Sequence, residues 1–513
     1  MGWGADFISA LQTGPYRPAF LLRRIQNLSE PGYFIEVSSH PPPGSAVRLG
    51  GIRVEGQSVS PRTWAVTVGA FSVEIVGDPT DVLFALPRGA IVELIADFDG
   101  VQGRIAVGQV RTFRGTAPSM WLECLDLFSA LRSSLDTGED PLFTSVAAST
   151  TTTILHAVGA AVYTVADTTG FEKQTGGLGA IKITTTLGFV YYRIWSAKTA
   201  TTFTIEDPTD ATVMGTTDGG ALSGSTVSEV GYIYAHPSNI ALNVLCSTGG
   251  GANGPFDVLP AGWGIGVLSA LVDELDASDW KNLVTLVASG SYVVQTPVTA
   301  PIANPLTWLL GILSPLGMWL TMRQGKITFR SAQDTHAVGF VLESGYVIRI
   351  SDVVSVEDYD AYDTQHEHEY QSCKVTTFSG TVTKTDGAKT ATLPGGGTNN
   401  HDASEYVYEN VSAIGTEAAG RMVEADTRIP ERLVLRLRGL SAAVLCPGDV
   451  LTLELGVPTG LSVIVYSRTG GAGFANRRAE VYEVSPDWLG GTVRVGLWVY
   501  PESPSAALSS EVA

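Results

Sequence analysis

The sequence predicts a mainly β (α+β) protein in which two small β-barrel-like domains flank a mixed α/β centre, with a β-module inserted ahead of that centre. Three observations carry this expectation. Short runs rich in Val, Ile and aromatic residues, separated by Gly, Pro and Asp, recur over residues 32–135 and again over 338–500, as strands and turns require. Helical periodicity is concentrated between them, after His236. From residue 144 to 235 the composition shifts abruptly to Thr and Gly.

The first domain is placed at 1–143. Strands are expected at Tyr33–Ser38, Trp64–Val68, Phe71–Val76, Ile91–Phe98 and Arg104–Phe113. In Trp64-Ala65-Val66-Thr67-Val68 and in Val92-Glu93-Leu94-Ile95-Ala96-Asp97 one face is apolar and the other small or polar, the pattern of a half-buried antiparallel sheet or small barrel. Met120–Leu135 reads as a strand end running into a short amphipathic helix.

The insert, 144–235, opens on a Ser/Thr run and keeps alternating strands at Ala180–Thr184 and Thr202–Glu206. Its threonines suit exposed strands better than a linker, and it stands where insertions are tolerated.

The centre, 236–335, is expected to hold a helix at Pro237–Leu245 with Ser238 as its N-cap, and one or two amphipathic helices over Gly266–Val287. The most apolar run, Leu306–Met322, is 17 residues long and broken by Pro315 and Gly317. That is the low edge of a bilayer span and contains a helix breaker, so a buried helix turning into a strand is expected. The chain then turns at Arg323-Gln324-Gly325-Lys326 into a strand at Ile327–Arg330. The second β-domain, 336–500, shows strands at Val347–Ile350, Glu369–Phe378, Leu433–Leu437, Val450–Leu455, Ser462–Ser467, Ala479–Val484 and Gly491–Val499, with one helix at Thr416–Thr427. Residues 501–513 are expected to be a disordered tail.

Charge narrows the function. The chain has 32 Lys+Arg against 51 Asp+Glu, a net charge of −19, yet only 16% of its residues are charged, against about 25% in ordinary soluble domains. Disorder demands the opposite balance. Nucleic-acid binding demands a basic stripe, and the densest basic groups are only Arg432, Arg436 and Arg438, then Arg477 and Arg478. Cys124, Cys246, Cys373 and Cys446 lie too far apart for a zinc spacing and are expected as buried free thiols. The opening Met-Gly-Trp-Gly-Ala-Asp lacks the basic and apolar regions of a signal peptide, so synthesis and folding in a reducing cytoplasm are expected.

Two motifs invite chemistry. Gly249–Gly254 matches G-x-G-x-x-G, but a helix precedes it and Pro255 follows it, whereas a pyrophosphate cradle must leave a strand and open a helix; a loop is expected. Glu357, Asp358, Asp360, Asp363, His366, Glu367, His368 and Glu369 form the densest polar constellation, with residue types that suit a divalent ion. The calcium-loop and H-E-x-x-H spacings both fail, which leaves a solvated acidic loop at a domain edge. No G-x-S-x-G elbow or phosphate-binding G-x-x-x-x-G-K-[ST] occurs. No catalytic, cofactor-binding or metal-ligating residue is assigned, and the chain is not expected to be an enzyme.

Several segments, in order, resemble the hub proteins of bacteriophage tail tips and baseplates, a family also found in gene transfer agents. These are Arg17-Pro18-Ala19-Phe20-Leu21-Leu22 at the first strand, and Met120–Leu131 at the close of the first barrel. His236–Leu245 follows, with Asp257-Val258-Leu259-Pro260 and Gly264-Ile265-Gly266, in the central part. Leu309–Arg330 looks like the helix, Pro-Leu-Gly turn and strand ahead of the second barrel, and Arg432–Leu455 like that barrel's strand, loop and Pro-Gly-Asp-Val hairpin. The order of these segments carries more weight than any one of them. The cysteine spacing differs from the iron–sulfur relatives, so no cluster is carried over.

The resemblance implies a homotrimer whose paired barrels make a pseudo-six-fold ring, joining a six-fold tail tube to a three-fold tip in the virion tail. Its implied partners are distal tail and tail-tube proteins, and tip, fibre or tape-measure proteins. Genomic DNA would pass through without specific binding, along a channel to which three copies bring part of −57 formal charges. Two other classes stay open: a receptor-binding, adhesin-like tail protein acting through 144–235, and a hydrolase built on β-domains.

Overall fold

A computed structural model describes residues 3–13, 18–25, 36–43, 45–60, 66–116, 118–128, 148–171, 178–206, 212–213, 216–217, 219–235, 237–247, 294–298, 305–323, 325–331, 343–361, 370, 372–377, 380–385, 397–403, 407–408, 422, 430–456, 466–467, 471–472 and 474–500. It is mostly β, with sheets curled into half-barrels.

The N-terminal sheet has seven strands: β1 (Ala19–Arg24), β2 (Glu36–Ser38), β3 (Val47–Val54), β6 (Phe71–Gly77), β7 (Ile91–Phe98), β8 (Val101–Thr116) and β9 (Ser119–Asp126), in the order β2-β1-β7-β8-β9-β6-β3 and antiparallel throughout. Alternation decides which face is buried: Phe71, Val73 and Ile75 of β6 point inward while their neighbours stay half-exposed. The register slips between Val110 and Thr112 of the 16-residue β8, a bulge that bends the strand and curls the sheet. A helix at Ala5–Thr13 lies on this sheet. Phe7 and Leu11, four residues apart, form its buried stripe, and Trp3, just ahead of its first turn, is buried beside them. Phe7 meets Phe98 edge-on at 5.6 Å and rests on Gly103, where a Cβ would stand 2.5 Å from its ring.

Two short strands between β3 and β6, namely β4 (Gln57–Val59) and β5 (Val66–Thr67), leave this sheet and join the C-terminal one. The insert contributes β10 (Ser149–Thr151), β11 (Val162–Thr164), β12 (Gly179–Thr184), β13 (Val190–Lys198), β14 (Thr202–Ile205), the small hairpin β15 (Thr212–Val213) and β16 (Thr216–Thr217), and β17 (Thr226–Ala235). Tyr163, Phe171, Ile181, Ile183, Tyr191, Trp195, Phe203 and Val227 give it a core of its own. Its sheet does not stop at Ala235. β18 (Val294–Val298), in the stretch assigned to the centre, pairs with β17, and β26 (Val407–Tyr408), from the C-terminal stretch, pairs with β18.

In the centre the helix Pro237–Cys246 starts on proline, whose fixed φ and missing N–H suit a first helical position. Ser238 therefore sits within the first turn and is not the cap that was expected. The apolar run behaves as its breakers predict. A helix at Pro305–Leu313 passes into a 3-10 turn at Ser314–Leu316, ends on Gly317 at φ +65°, and continues as β19 (Met318–Arg323), paired with β20 (Lys326–Ser331).

The C-terminal sheet holds β21 (Glu343–Arg349), β22 (Val353–Asp360), β27 (Glu431–Arg438), β28 (Val450–Leu455), β31 (Phe474–Asp487) and β32 (Thr492–Val499), with β4 and β5 attached at β31. β21 and β28 run parallel; the other pairs in this sheet are antiparallel. Its long strand, β31, is also bulged, between Val481 and Glu483. A three-stranded sheet of β23 (Ser372–Thr377), β24 (Gly380–Thr385) and β25 (Thr398–Ala403), and a hairpin of β29 (Tyr466–Ser467) and β30 (Gly471–Ala472), complete the described strands. The two terminal sheets share one core: Leu22, Phe71, Val92 and Leu94 belong to the same cluster as Leu433, Leu451, Val495 and Leu497.

The helices expected at Gly266–Val287 and Thr416–Thr427 (save Met422), the Gly249–Gly254 loop, Asp363–Glu369 and the 501–513 tail lie outside the described residues.

Candidate functional site

The structure brings together two charge groups that are far apart in sequence. β22 carries Glu357 and Asp358, β27 carries Arg432 and Arg436, and the two strands pair with Val356 opposite Leu435 and Asp360 opposite Arg432. Arg432 donates to Asp358 at 2.7 Å. Glu357 accepts from Nε of Arg436 at 2.6 Å and from Nε of Arg494, on β32, at 2.9 Å. Arg494 also donates to Glu483 of β31. Partial burial raises the Glu357 pKa, but hydrogen bonds and charge from Arg436 and Arg494 outweigh it and hold the carboxyl below its usual range. This part of the acidic run is thus locked to arginines across neighbouring strands, so it is neither a metal cage nor a free negative wall. Among the described residues no group of three or more His, Cys, Asp or Glu could hold a metal ion. His366 and His368 lie outside them.

Two more ion pairs are buried and structural. Arg104 donates to Glu93 at 2.6 Å across β7 and β8, and its other nitrogen reaches the Gly325 carbonyl at 3.4 Å. Arg330 donates to Asp449 at 3.1 Å with both side chains almost wholly buried, and the second Asp449 oxygen accepts from the Cys446 amide at 2.9 Å. Thr321 and the Met322 amide both donate to the Gln57 side-chain oxygen, at 3.0 and 3.3 Å. The hairpin β19–β20 is therefore clasped on three sides: by β8, by β4, and by the turn before β28.

A cleft of about 590 Å³ opens where the two terminal sheets meet. Arg53, Arg111, Arg436 and Arg494 face Glu55, Glu123 and Asp487 along it, and Trp488 forms part of its floor. Arg53 lies over the Trp121 ring at 4.8 Å. Cys124 also lines it, but burial pushes its thiol pKa far up, away from the thiolate that nucleophilic chemistry needs. All four cysteines are buried thiols outside any disulfide, as their spacing implied. Arg436 and Arg494, which hydrogen-bond Glu357, therefore also line the cleft between the sheets.

Sequence reading missed the N-terminal helix, although the i, i+4 spacing of Phe7 and Leu11 was there to be seen. The pairing of Glu357 with Arg436 and Arg494 had no local signal, because the register between β22 and β27 sets it.

No protein-family model and no curated sequence matches the chain. Solved structures similar to it include a prophage tail protein and a gene transfer agent virion chain. The 43 kDa tail protein of prophage MuSo2 from Shewanella oneidensis is 10% identical, covering 94% of this chain and 98% of its own, with a TM-score of 0.36. A chain from the virion of a native gene transfer agent particle is 13% identical, covering 44% of this chain and 84% of its own, with a TM-score of 0.19. At scores this low the fold rests on the strand pairing itself.

Proposed function

We propose that the chain is a structural protein of a phage-type tail, acting as a hub that joins the six-fold tail tube to a three-fold tip as a homotrimer. One observation carries the reading: each terminal sheet is curled about one long bulged strand, β8 in the first and β31 in the second, and the two sheets close over a single core. Two such units per chain, in three copies, offer six similar faces to a tube. The order of hub-like segments along the sequence supports the same reading, and low charge density suits large obligate interfaces. In this reading the first barrel spans 1–143 and the second 336–500, the chain is made in the host cytoplasm and carried in the virion tail, and it performs no catalytic step. Sedimentation velocity is the test. A trimer of 54.1 kDa chains has a mass of about 162 kDa. Gold-labelled chain at the tail tip of assembled particles would support the hub; a monomer at micromolar concentration, or label away from the tail axis, would overturn it.

A further inference from the structure

The insert ends in an apolar tip. Val190, Thr184, Thr226 and Thr151 stand in one row across β13, β12, β17 and β10. Three loops leave that row on the same side: 152–161, 185–189 and 219–225. Beyond the other end of the sheet β17 runs on to pair with β18, so the loops sit at the end remote from that junction. Ile154, Leu155, Val158, Leu187 and Phe189 on these loops are 51–72% exposed, and Leu222 is 44% exposed. Among the described residues, most of the large exposed apolar side chains are on the insert. Isolated exposed leucines need no explanation, but a contiguous group on adjoining turns does.

Two of the loops, 152–161 and 219–225, are tied to one another, and the third is a closed hairpin turn. Thr152 donates to the Leu222 carbonyl at 2.7 Å, Ser223 to the Thr153 carbonyl at 3.1 Å, and His156 and Ala221 exchange backbone hydrogen bonds at 2.7 and 2.9 Å. In the hairpin turn the Thr185 amide donates to the Phe189 carbonyl, the Gly188 amide to the Thr185 carbonyl, and the Phe189 amide to the Thr185 hydroxyl. These backbone groups already have partners, so removing them from water does not orphan them.

We propose that this tip inserts shallowly into a lipid bilayer surface. Charge argues for lipid as the occupant. In a chain of net charge −19, residues 152–161 and 185–189, and the segment 219–225 that follows Asp218 and closes the longer connection from Glu206, contain no Asp, Glu, Lys or Arg, and charge is what a bilayer interior excludes. Lys182, three residues before the hairpin turn, stands about 10 Å behind it, within reach of headgroups. Among the described residues no helix is long and apolar enough to cross a membrane, and shallow insertion of turns needs none. The net charge selects a zwitterionic surface over an anionic one. This inference is independent of the hub reading, since a monomer that binds bilayers satisfies it.

The test is flotation of the full chain with phosphatidylcholine vesicles. The native chain is expected to float, and Leu187→Asp/Phe189→Asp to lose at least about tenfold in vesicle partitioning. Val354→Asp, at an exposed apolar position on β22, is expected to float like the native chain. Because the tip side chains are exposed, circular dichroism and melting of the double variant should match the native chain. A Leu187→Trp chain should show blue-shifted emission on vesicles and quenching by brominated lipid. A native chain that stays with the aqueous phase, or a double variant that floats equally well, overturns the proposal. So does self-association lost in the double variant without any flotation, which would assign the tip to a second copy.

Discussion

The indole of Trp3 meets that of Trp488 edge-on, with ring centroids 6.2 Å apart and planes at 84°. One lies just ahead of the N-terminal helix, the other just past β31, so this contact ties the first residues of the chain to the C-terminal sheet. Trp3 also donates its indole N–H to the Arg104 carbonyl on β8. Trp3→Ala is expected to cost about 3 kcal/mol, since a large buried aromatic leaves a cavity. Trp488→Ala should cost a similar amount, and the double variant less than the sum of the two, because the residues share a contact. Urea denaturation of the three variants measures it; strict additivity would mean that the rings are not coupled.

Gly103 sets how closely the N-terminal helix approaches β8. A Cβ there would stand 2.5 Å from three atoms of the Phe7 ring, which is itself 1% exposed and has nowhere to retreat. Gly103→Ala is expected to undock the helix and expose residues 5–13 to protease, while in a Phe7→Ala background the same change should add nothing further. Limited proteolysis followed by mass spectrometry reads both.

Strand content was legible because alternation is local: Ile91–Phe98 and Val450–Leu455 have the bounds that their apolar pattern sets. The helix-to-strand change at Pro315 and Gly317 was legible for the same reason, since both residues act on their own backbone. Partnership between distant strands was not. Nothing near Gln57 says that its strand leaves the first sheet for β31, and nothing near Val294 says that it extends the insert's sheet. Those pairings depend on which edges remain open once the sheets have curled, which is a property of the assembled fold. The candidate site was hidden likewise, because Glu357 and Arg494 are 137 residues apart.

The buried Arg330–Asp449 pair fixes the β19–β20 hairpin to the turn before β28. Its side chains are 0% and 3% exposed, so removing one partner leaves an uncompensated buried charge. Asp449→Ala is expected to cost about 3–5 kcal/mol. Arg330→Met/Asp449→Leu should recover much of that loss, because it removes both charges and keeps apolar volume. Thermal melting of the single and double variants checks the order; a double variant less stable than Asp449→Ala would reject it.

Cys124, Cys246, Cys373 and Cys446 are all buried, and burial raises the Cys124 pKa well above its usual value. Native protein is therefore expected to react negligibly with an aromatic disulfide reagent at pH 8, and denatured protein to release four equivalents per chain. A fast native equivalent would place one thiol at the surface, and labelled-peptide mapping would identify it.

Glu357 gives stability a pH dependence whose sign follows from its partners. Burial opposes ionisation, but Arg436 and Arg494 hydrogen-bond the ionised form and hold its folded pKa below the unfolded value of about 4.3. The unfolded chain then binds the proton more readily, so the contribution is fully present above the unfolded pKa and is lost as pH falls through the folded one. Glu357→Gln keeps the shape and removes the charge. Its melting temperature is expected to lie below that of the native chain at pH 7, with the gap closing steadily between pH 5 and pH 3. Arg494→Gln should narrow the same gap from the other side, because it withdraws one of the two guanidiniums that hold the carboxylate ionised. A gap that stays constant from pH 7 to pH 3 would show that Glu357 acts through packing alone, and that the arginines of β27 and β32 do not set its charge.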